Sequence, residues 1–132
     1  IKIDNNKDIE IKTKNNLNFK YFSNNVIFDT KRIFILFNVP HNIPRGDHAH
    51  IECSQFLVSL FGTINFEVFN GSNWINIELN QGDSYFLKPL SWIWKILFKN
   101  NAVLAVFCSH EFDEADYIRN IDNFIKKILC LN

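Results

Sequence analysis

From Ile1 to Asn25 the chain is polar and rich in asparagine, and its apolar residues alternate with polar ones in two short pieces, Ile9-Glu10-Ile11-Lys12 and Leu17-Asn18-Phe19-Lys20-Tyr21. Alternation with a period of two predicts half-exposed edge strands. The pattern then thickens: Lys31 to Val39 contains Ile33-Phe34-Ile35-Leu36-Phe37, a β-branched and aromatic run that predicts a strand covered on both faces. Pro40 ends it. A loop from His41 to Gly46 leads into a strand carrying His48-Ala49-His50, and Gln55 to Phe61 forms the next strand before a turn at Gly62-Thr63. Asn65-Phe66-Glu67-Val68-Phe69 alternates cleanly and meets Asn70-Gly71, a two-residue hairpin signal whose turn positions both favour positive φ. Trp74 to Leu79 is the return strand.

Gln81-Gly82-Asp83 makes a further turn that Asp83 caps, Ser84 to Leu87 a short strand, and Pro89-Leu90-Ser91 a corner. Trp92 to Phe98 and Ala102 to Cys108 read as two strands joined by a tight turn at Asn100-Asn101. Short strands separated by frequent turn signals predict an all-β sandwich or barrel. After Asp113 the period changes, and Ile118, Ile121, Ile125 and Ile128, with Phe124 and Leu129 alongside, fall on one helix face. The expectation is a single domain over residues 1–132, with a barrel to about residue 112 and a helix over about 117–131. Neither an internal repeat nor a linker interrupts it.

Composition narrows the function. At 132 residues with 47% hydrophobic and 15% aromatic content, the chain has ample material for one packed core. Lys+Arg and Asp+Glu both number 14, so no global field recruits nucleic acid or an anionic membrane. The longest apolar runs, Ile33 to Phe37 and Ala102 to Cys108, are too short to span a bilayer. The first residues mix charges without an apolar core, so no secretory signal is expected. Cys53, Cys108 and Cys130 are odd in number and widely spaced, which predicts free thiols in a reducing cytoplasm.

The chemistry concentrates in Pro44-Arg45-Gly46-Asp47-His48-Ala49-His50. On a strand the two imidazoles share one face with Ala49 turned away. That spacing serves metal ligands and acid–base pairs alike, because histidine changes protonation near neutral pH, and it also suits two half-buried strand histidines. Arg45 adds a fixed cation and Gly46 a permissive backbone. Gln55 is a candidate polar partner for a histidine. Asp113 and Asp116 read as helix-start or turn acids, and His41 and His110, beside loops, receive no role.

The Arg-Gly-x-His-x-His strand, the glycine-turn hairpin, the Gly82-Asp83 turn and Pro89 before a tryptophan strand together resemble the cupin (jelly-roll) pattern. More narrowly, Pro44 to His50, Gln55 to Gly62, and Phe112-Asp113-Glu114-Ala115-Asp116-Tyr117-Ile118-Arg119 resemble the nucleotide-sugar 3,4-ketoisomerases, with Lys31-Arg32 and Asp122-Asn123-Phe124 in agreement. The resemblance covers roughly residues 26 to 128. It implies a small cupin homodimer that converts dTDP-4-keto-6-deoxyglucose to a 3-keto isomer, ahead of transamination to a 3-amino sugar for surface polysaccharide. It implies that His48 and His50 match the catalytic histidines and Arg45 the substrate-site arginine. The chain departs from the family where members often carry tyrosine, at Phe34 and Ile35, and where they often carry histidine, at Ile93. Lys12-Thr13-Lys14-Asn15 replaces an Asp-x-Arg-Gly segment of relatives.

Moving a ketone from C4 to C3 of a hexose requires a base for the C3 proton, a second proton carrier, and a group that steadies the developing oxyanion. His48 and His50 supply the first two, and Arg45 steadies the enediolate or grips a diphosphate. Trp74, Trp92 and Trp94 are candidates to cover the sugar or stack on the base, with Trp92 and Trp94 on one strand face. No cofactor is required, because the shift is internally redox-neutral. Two rival readings are a metal-dependent cupin enzyme and a sugar-binding cupin without turnover. A cupin metal site usually adds a downstream carboxylate and a third histidine. Here Glu52 shares the histidines' face but lies very close in sequence, Ser54-Gln55 follow, and the later strand has Ile93. The ligand set is incomplete, so no metal is expected.

Overall fold

The computed structural model describes residues 9–14, 17–22 and 28–131. Strands β1 (Ile9–Lys14) and β2 (Leu17–Phe22) pair as an antiparallel hairpin, from Ile9 opposite Phe22 to Lys14 opposite Leu17. The body of the fold is built on two long strands, β5 (Gln55–Phe69) and β8 (Trp92–Cys108). They pair antiparallel from Gln55 opposite Cys108 to Phe69 opposite Trp92. Both bend midway, and each half gathers its own neighbours. At the first half, β3 (Arg32–Leu36) joins β8 and β7 (Ser84–Leu87) joins β5. At the second, β6 (Trp74–Leu79) joins β5, while Arg45 and His48 make isolated bridges to Ile96 and Ile93 on β8. The inward side chains of both halves, among them Leu57, Ile64, Phe66, Ile93, Phe98, Leu104 and Val106, form one buried cluster. This is the expected all-β jelly-roll barrel of the cupin class.

The bend explains why two expected turns are absent. Gly62 and Asn100-Asn101 do hold left-handed conformations, with φ of +70°, 58° and 57°. They form a bulge inside paired strands, where Phe61 opposes Val103 and Thr63 opposes Lys99. A Cβ on Gly62 would lie 2.7 Å from Ala102 Cα and 2.7 Å from the Lys99 carbonyl oxygen, so the crossing of the two backbones requires glycine. Buried Ser59 ties the bend by donating its hydroxyl to the Gly62 carbonyl at 2.9 Å.

Other expectations are corrected in the same way. The apolar run on β3 is covered on one face only: Phe34 and Leu36 pack against the core cluster, while the alternate residues Ile33 and Ile35 are 56% and 49% exposed. The 70–73 connection is a four-residue loop closed by the Asn70 carboxamide, which accepts from the backbone N–H groups of Ser72 and Asn73 at 2.9 and 3.0 Å. Only Gly71 there has positive φ. Asp83 does cap its turn, accepting from the Asn80 N–H at 2.9 Å.

The C-terminal helix is shorter than its periodicity suggested. A 3₁₀ turn (Glu114–Asp116) and strand β9 (Tyr117–Ile118) precede α1 (Ile121–Cys130). Asn120 caps α1 by accepting from the N–H groups of Asp122 and Asn123. Phe124 is its buried anchor, packed on Trp92 and Phe69 at ring-centroid distances of 5.5 and 6.2 Å, and Ile121 and Ile125 face outward. Tyr117 and Ile118 are drawn out of the helix because they pair with His50 and Ala49 on β4 (Ala49–His50).

Candidate active site

His48 and His50 are presented by two short pairings. His48 exchanges backbone hydrogen bonds with Ile93 on β8, at 2.9 and 3.3 Å. One residue pair further on, His50 faces Tyr117 on β9. Between Arg45 and His48 the chain must pass close over β8, and a Cβ on Gly46 (φ +95°) would lie 3.1 Å from the Ile93 carbonyl oxygen. The two imidazoles converge as the period of two requires, with centroids 5.3 Å apart and rings perpendicular. Tyr117 lies beside both, 4.2 Å from the His50 ring and 5.2 Å from that of His48.

Their environments differ. His48 opens onto a cavity of about 270 Å³ inside the barrel, which is lined also by Arg45, Gln55, Tyr117 and Arg119 and floored by apolar residues including Phe34 and Ile93. His50 is buried at 3% exposure and does not line it. Its Nδ1 lies 3.0 Å from the Asp116 carboxylate, which assigns a proton to Nδ1, while Nε2 is buried without a hydrogen-bond partner among the described residues. The same carboxylate accepts the backbone N–H groups of Glu52 at 2.7 Å and Cys53 at 3.2 Å. Asp116 therefore fixes both the His50 tautomer and the loop that leaves β4. A larger groove of about 740 Å³ runs along residues 38–41 and 98–101. It holds no member of the histidine cluster, so the smaller cavity is where the chemistry converges.

Burial pushes the His48 imidazole down to about 4, with His50 and Arg119 adding to the effect. His48 is thus neutral at pH 7 and able to accept a proton. The sign for stability follows: the unfolded chain binds a proton near 6.5 that the folded chain refuses until about 4. Stability is whole above pH 6.5 and falls as pH drops toward 4, by up to about 3 kcal/mol from this group. Urea denaturation at pH 7 and pH 4.5 is expected to show a smaller acid loss in His48→Gln than in the wild type. Equal losses would refute it.

A His50 ring nitrogen, Cys53 Sγ and an Asp116 oxygen all lie within 4.8 Å of one another, a donor set of a kind that holds metal ions. The Asp116 oxygens already serve three donors, so this set is spent on hydrogen bonds and does not fit a metal without dismantling the His50 anchor. Cys53 and Cys108 are both buried and free. Cys108 carries the weaker acid of the two thiols, pushed up by its hydrogen bond to Cys53 and by burial.

A family model described as FdtA, WxcM-like C-terminal, matches residues 1–128. The chain belongs to this family. TDP-4-oxo-6-deoxy-α-D-glucose-3,4-oxoisomerase of Aneurinibacillus thermoaerophilus is 34% identical over 109 residues, spanning 82% of this chain and 78% of that protein. The TDP-quinovose 3,4-ketoisomerase WlaRB from Campylobacter jejuni superposes with a TM-score of 0.83 at 31% identity, covering 90% of this chain and 94% of its own. An asparagine-for-histidine mutant of the 3,4-ketoisomerase QdtA from Thermoanaerobacterium thermosaccharolyticum, solved with TDP-4-keto-6-deoxyglucose, gives 0.83 at 26% identity over 91% and 93% of the two chains.

Arg45 and Gln55 line the cavity, and the Gln55 amide donates to the Cys108 sulfur at 3.5 Å rather than to a histidine. Trp92 and Trp94, expected at the substrate, do share a strand face, but that face points out of the barrel while Ile93 points in. Trp92 is 1% exposed beneath α1, and Trp94 packs near Trp74 at 5.6 Å under the Lys95 ammonium. The departures at Phe34 and Ile93 both fall on the cavity wall. Asp116, read from sequence as a turn acid, proves to be the His50 anchor. Tyr117 and Arg119 join the site with it, and their alternation around Ile118 was the available signal for a short strand.

Proposed function

We propose that this protein is a dTDP-4-keto-6-deoxyglucose 3,4-ketoisomerase that forms a dTDP-3-keto-6-deoxyhexose through an enediol. It is an isomerase of the kind its relatives are. The observation that carries the reading is His48: a neutral imidazole faces a barrel cavity beside two arginines, Arg45 and Arg119. His48 takes the C3 proton, acidified by the neighbouring ketone, and returns it to C4. His50, held behind the wall by Asp116, positions His48 through edge-on contact. Arg45 and Arg119 receive the diphosphate, and its charge offsets the guanidinium that helps depress His48, which moves the base toward the pH at which it works. Gln55 lines the wall beside the sugar, with its amide nitrogen held by Cys108. The cavity is of a size for the hexose, with the nucleotide outside the barrel.

No cofactor or metal takes part in this scheme. The setting is cytoplasmic synthesis of a 3-amino sugar for surface polysaccharide, residues 1–132 act as one cupin domain, and the only partner needed besides substrate is a second copy of the chain. No helix among the described residues is long and apolar enough to cross a membrane, and balanced charge supports no role with nucleic acid. The exposed apolar side chains of Ile33 and Ile35 on β3 support the dimer, since an apolar face gains by packing against a second copy. Light scattering is expected to give twice the monomer mass of 15.6 kDa, and a monomer at micromolar concentration would count against it. The test of function is incubation with dTDP-4-keto-6-deoxyglucose and a 3-aminotransferase, the product read by NMR, with and without EDTA. A 3-amino sugar formed equally in both supports the reading, and an unchanged substrate overturns it.

A further inference from the structure

The reaction moves two kinds of proton, one between carbons and one between oxygens, and among the described residues of the cavity wall two side chains, His48 and Tyr117, can both give and take a proton. Among its described lining residues, Arg45 and Arg119 stay charged, Gln55 is an amide, and the rest besides His48 and Tyr117 are glycine or apolar. His50 is not on the wall, and Asp116 holds its Nδ1 proton. Resting on the ketoisomerase reading, we propose that Tyr117 is a second catalytic residue, whose phenol carries the proton from the C3 hydroxyl oxygen to the C4 carbonyl oxygen.

The ring is fixed for the task. It lies 4.2 Å from His50, 5.2 Å from His48 and 5.7 Å from Phe112. The Arg119 guanidinium covers it at 4.3 Å. The Arg32 guanidinium lies close enough to the ring to interact with it electrostatically. Tyr117 itself lines the cavity beside His48.

The steps balance. His48 takes the C3 proton, the C3–H electron pair becomes the C3=C4 double bond, and the former carbonyl pair moves onto O4. O4 takes the Tyr117 proton, which gives the enediol and a phenolate. The phenolate then removes the O3 proton, O3 forms its double bond to C3, and the C3=C4 pair takes the proton from His48 at C4. Tyr117 and His48 both end as they began.

The test is Tyr117→Phe, assayed on dTDP-4-keto-6-deoxyglucose in D2O by NMR. Phenylalanine keeps the ring against His50 and Phe112 and removes only the hydroxyl. The expected result is turnover slowed by about 10²-fold, the lower end for a lost proton carrier, while deuterium still enters at C3 within a few-fold of the wild-type rate. Retained exchange also reports that the variant is folded and binds substrate. Wild-type turnover in the variant would overturn the assignment, as would equal loss of exchange and turnover, since the hydroxyl would then serve the carbon step. With no turnover by the unaltered protein, this assignment and the ketoisomerase reading would fall together. Turnover by the wild type with a fully active variant would remove this assignment alone.

Discussion

Replacing His48 by asparagine is expected to stop both product formation and solvent deuterium exchange at the carbon beside the ketone, a loss of at least 10²–10⁴-fold, the usual range for a missing acid–base group. The reason is positional. Among the described cavity-lining residues, His48 alone carries a nitrogen that is unprotonated at neutral pH and free to accept from carbon. Asparagine keeps a compact polar side chain on the same backbone, which Ile93 holds at both N–H and C=O. The companion variant His50→Asn should slow turnover severely yet retain some exchange, because His50 sits behind the wall. Exchange by NMR in D2O decides between them. Wild-type activity in His48→Asn would sink the mechanism, and exchange without turnover there would transfer the carbon step to His50.

Asp116→Ala is expected to cost about 3–5 kcal/mol of stability together with most of the activity. Three donors converge on this carboxylate: the His50 ring at 3.0 Å and the N–H groups of Glu52 and Cys53 at 2.7 and 3.2 Å. The Glu52 site is exposed and recovers water. His50 and Cys53, each 3% exposed, do not, and a buried donor left without an acceptor costs about 1–3 kcal/mol, more where the bond was to a charge. Asp116→Asn separates the two losses. Its amide oxygen can still serve one backbone N–H, while its NH₂ group set against His50 would move the imidazole proton to the other nitrogen. Stability should therefore fall less than in Asp116→Ala, and activity about as far. Urea denaturation and turnover measured on both variants check this, and an Asp116→Ala midpoint equal to wild type would refute it.

The barrel was legible wherever one face is buried and one is wet. Asn65 to Phe69 and Trp74 to Leu79 alternate because they pair on a half-solvated sheet, and the His48-Ala49-His50 spacing carried its own geometry. The long strands were not legible as single elements. Glycine and paired asparagines are the residues of tight turns and also of bulges, and only the partner strand, which lies far away in sequence, distinguishes the two. Trp92 gave no local sign of its direction, because the neighbouring Ile93 is equally apolar and both are buried. Asp116 shows the limit most plainly. An acid after Asp113 and Glu114 looks like a helix start, and its partner His50 is 66 positions away, so its role exists only after the sheet has brought β4 and β9 together.

That meeting of β4 and β9 rests on two residues from each strand, the hydrogen bonds gathered by Asp116 and the small cluster of Ala49, Trp92, Ile118 and Phe124. Segments held by so few contacts open locally at a lower free energy than the sheet that carries them. When this one opens, Asp116 leaves His50 and Tyr117 leaves the cavity, while β5 and β8 remain paired along their whole length. Heating should therefore silence the catalyst before the barrel melts, and material that passes every spectroscopic check of sheet content can already be inert. The useful lifetime of a preparation is set by its last secondary structure elements, and a clamp placed there would lengthen it where a better core would not.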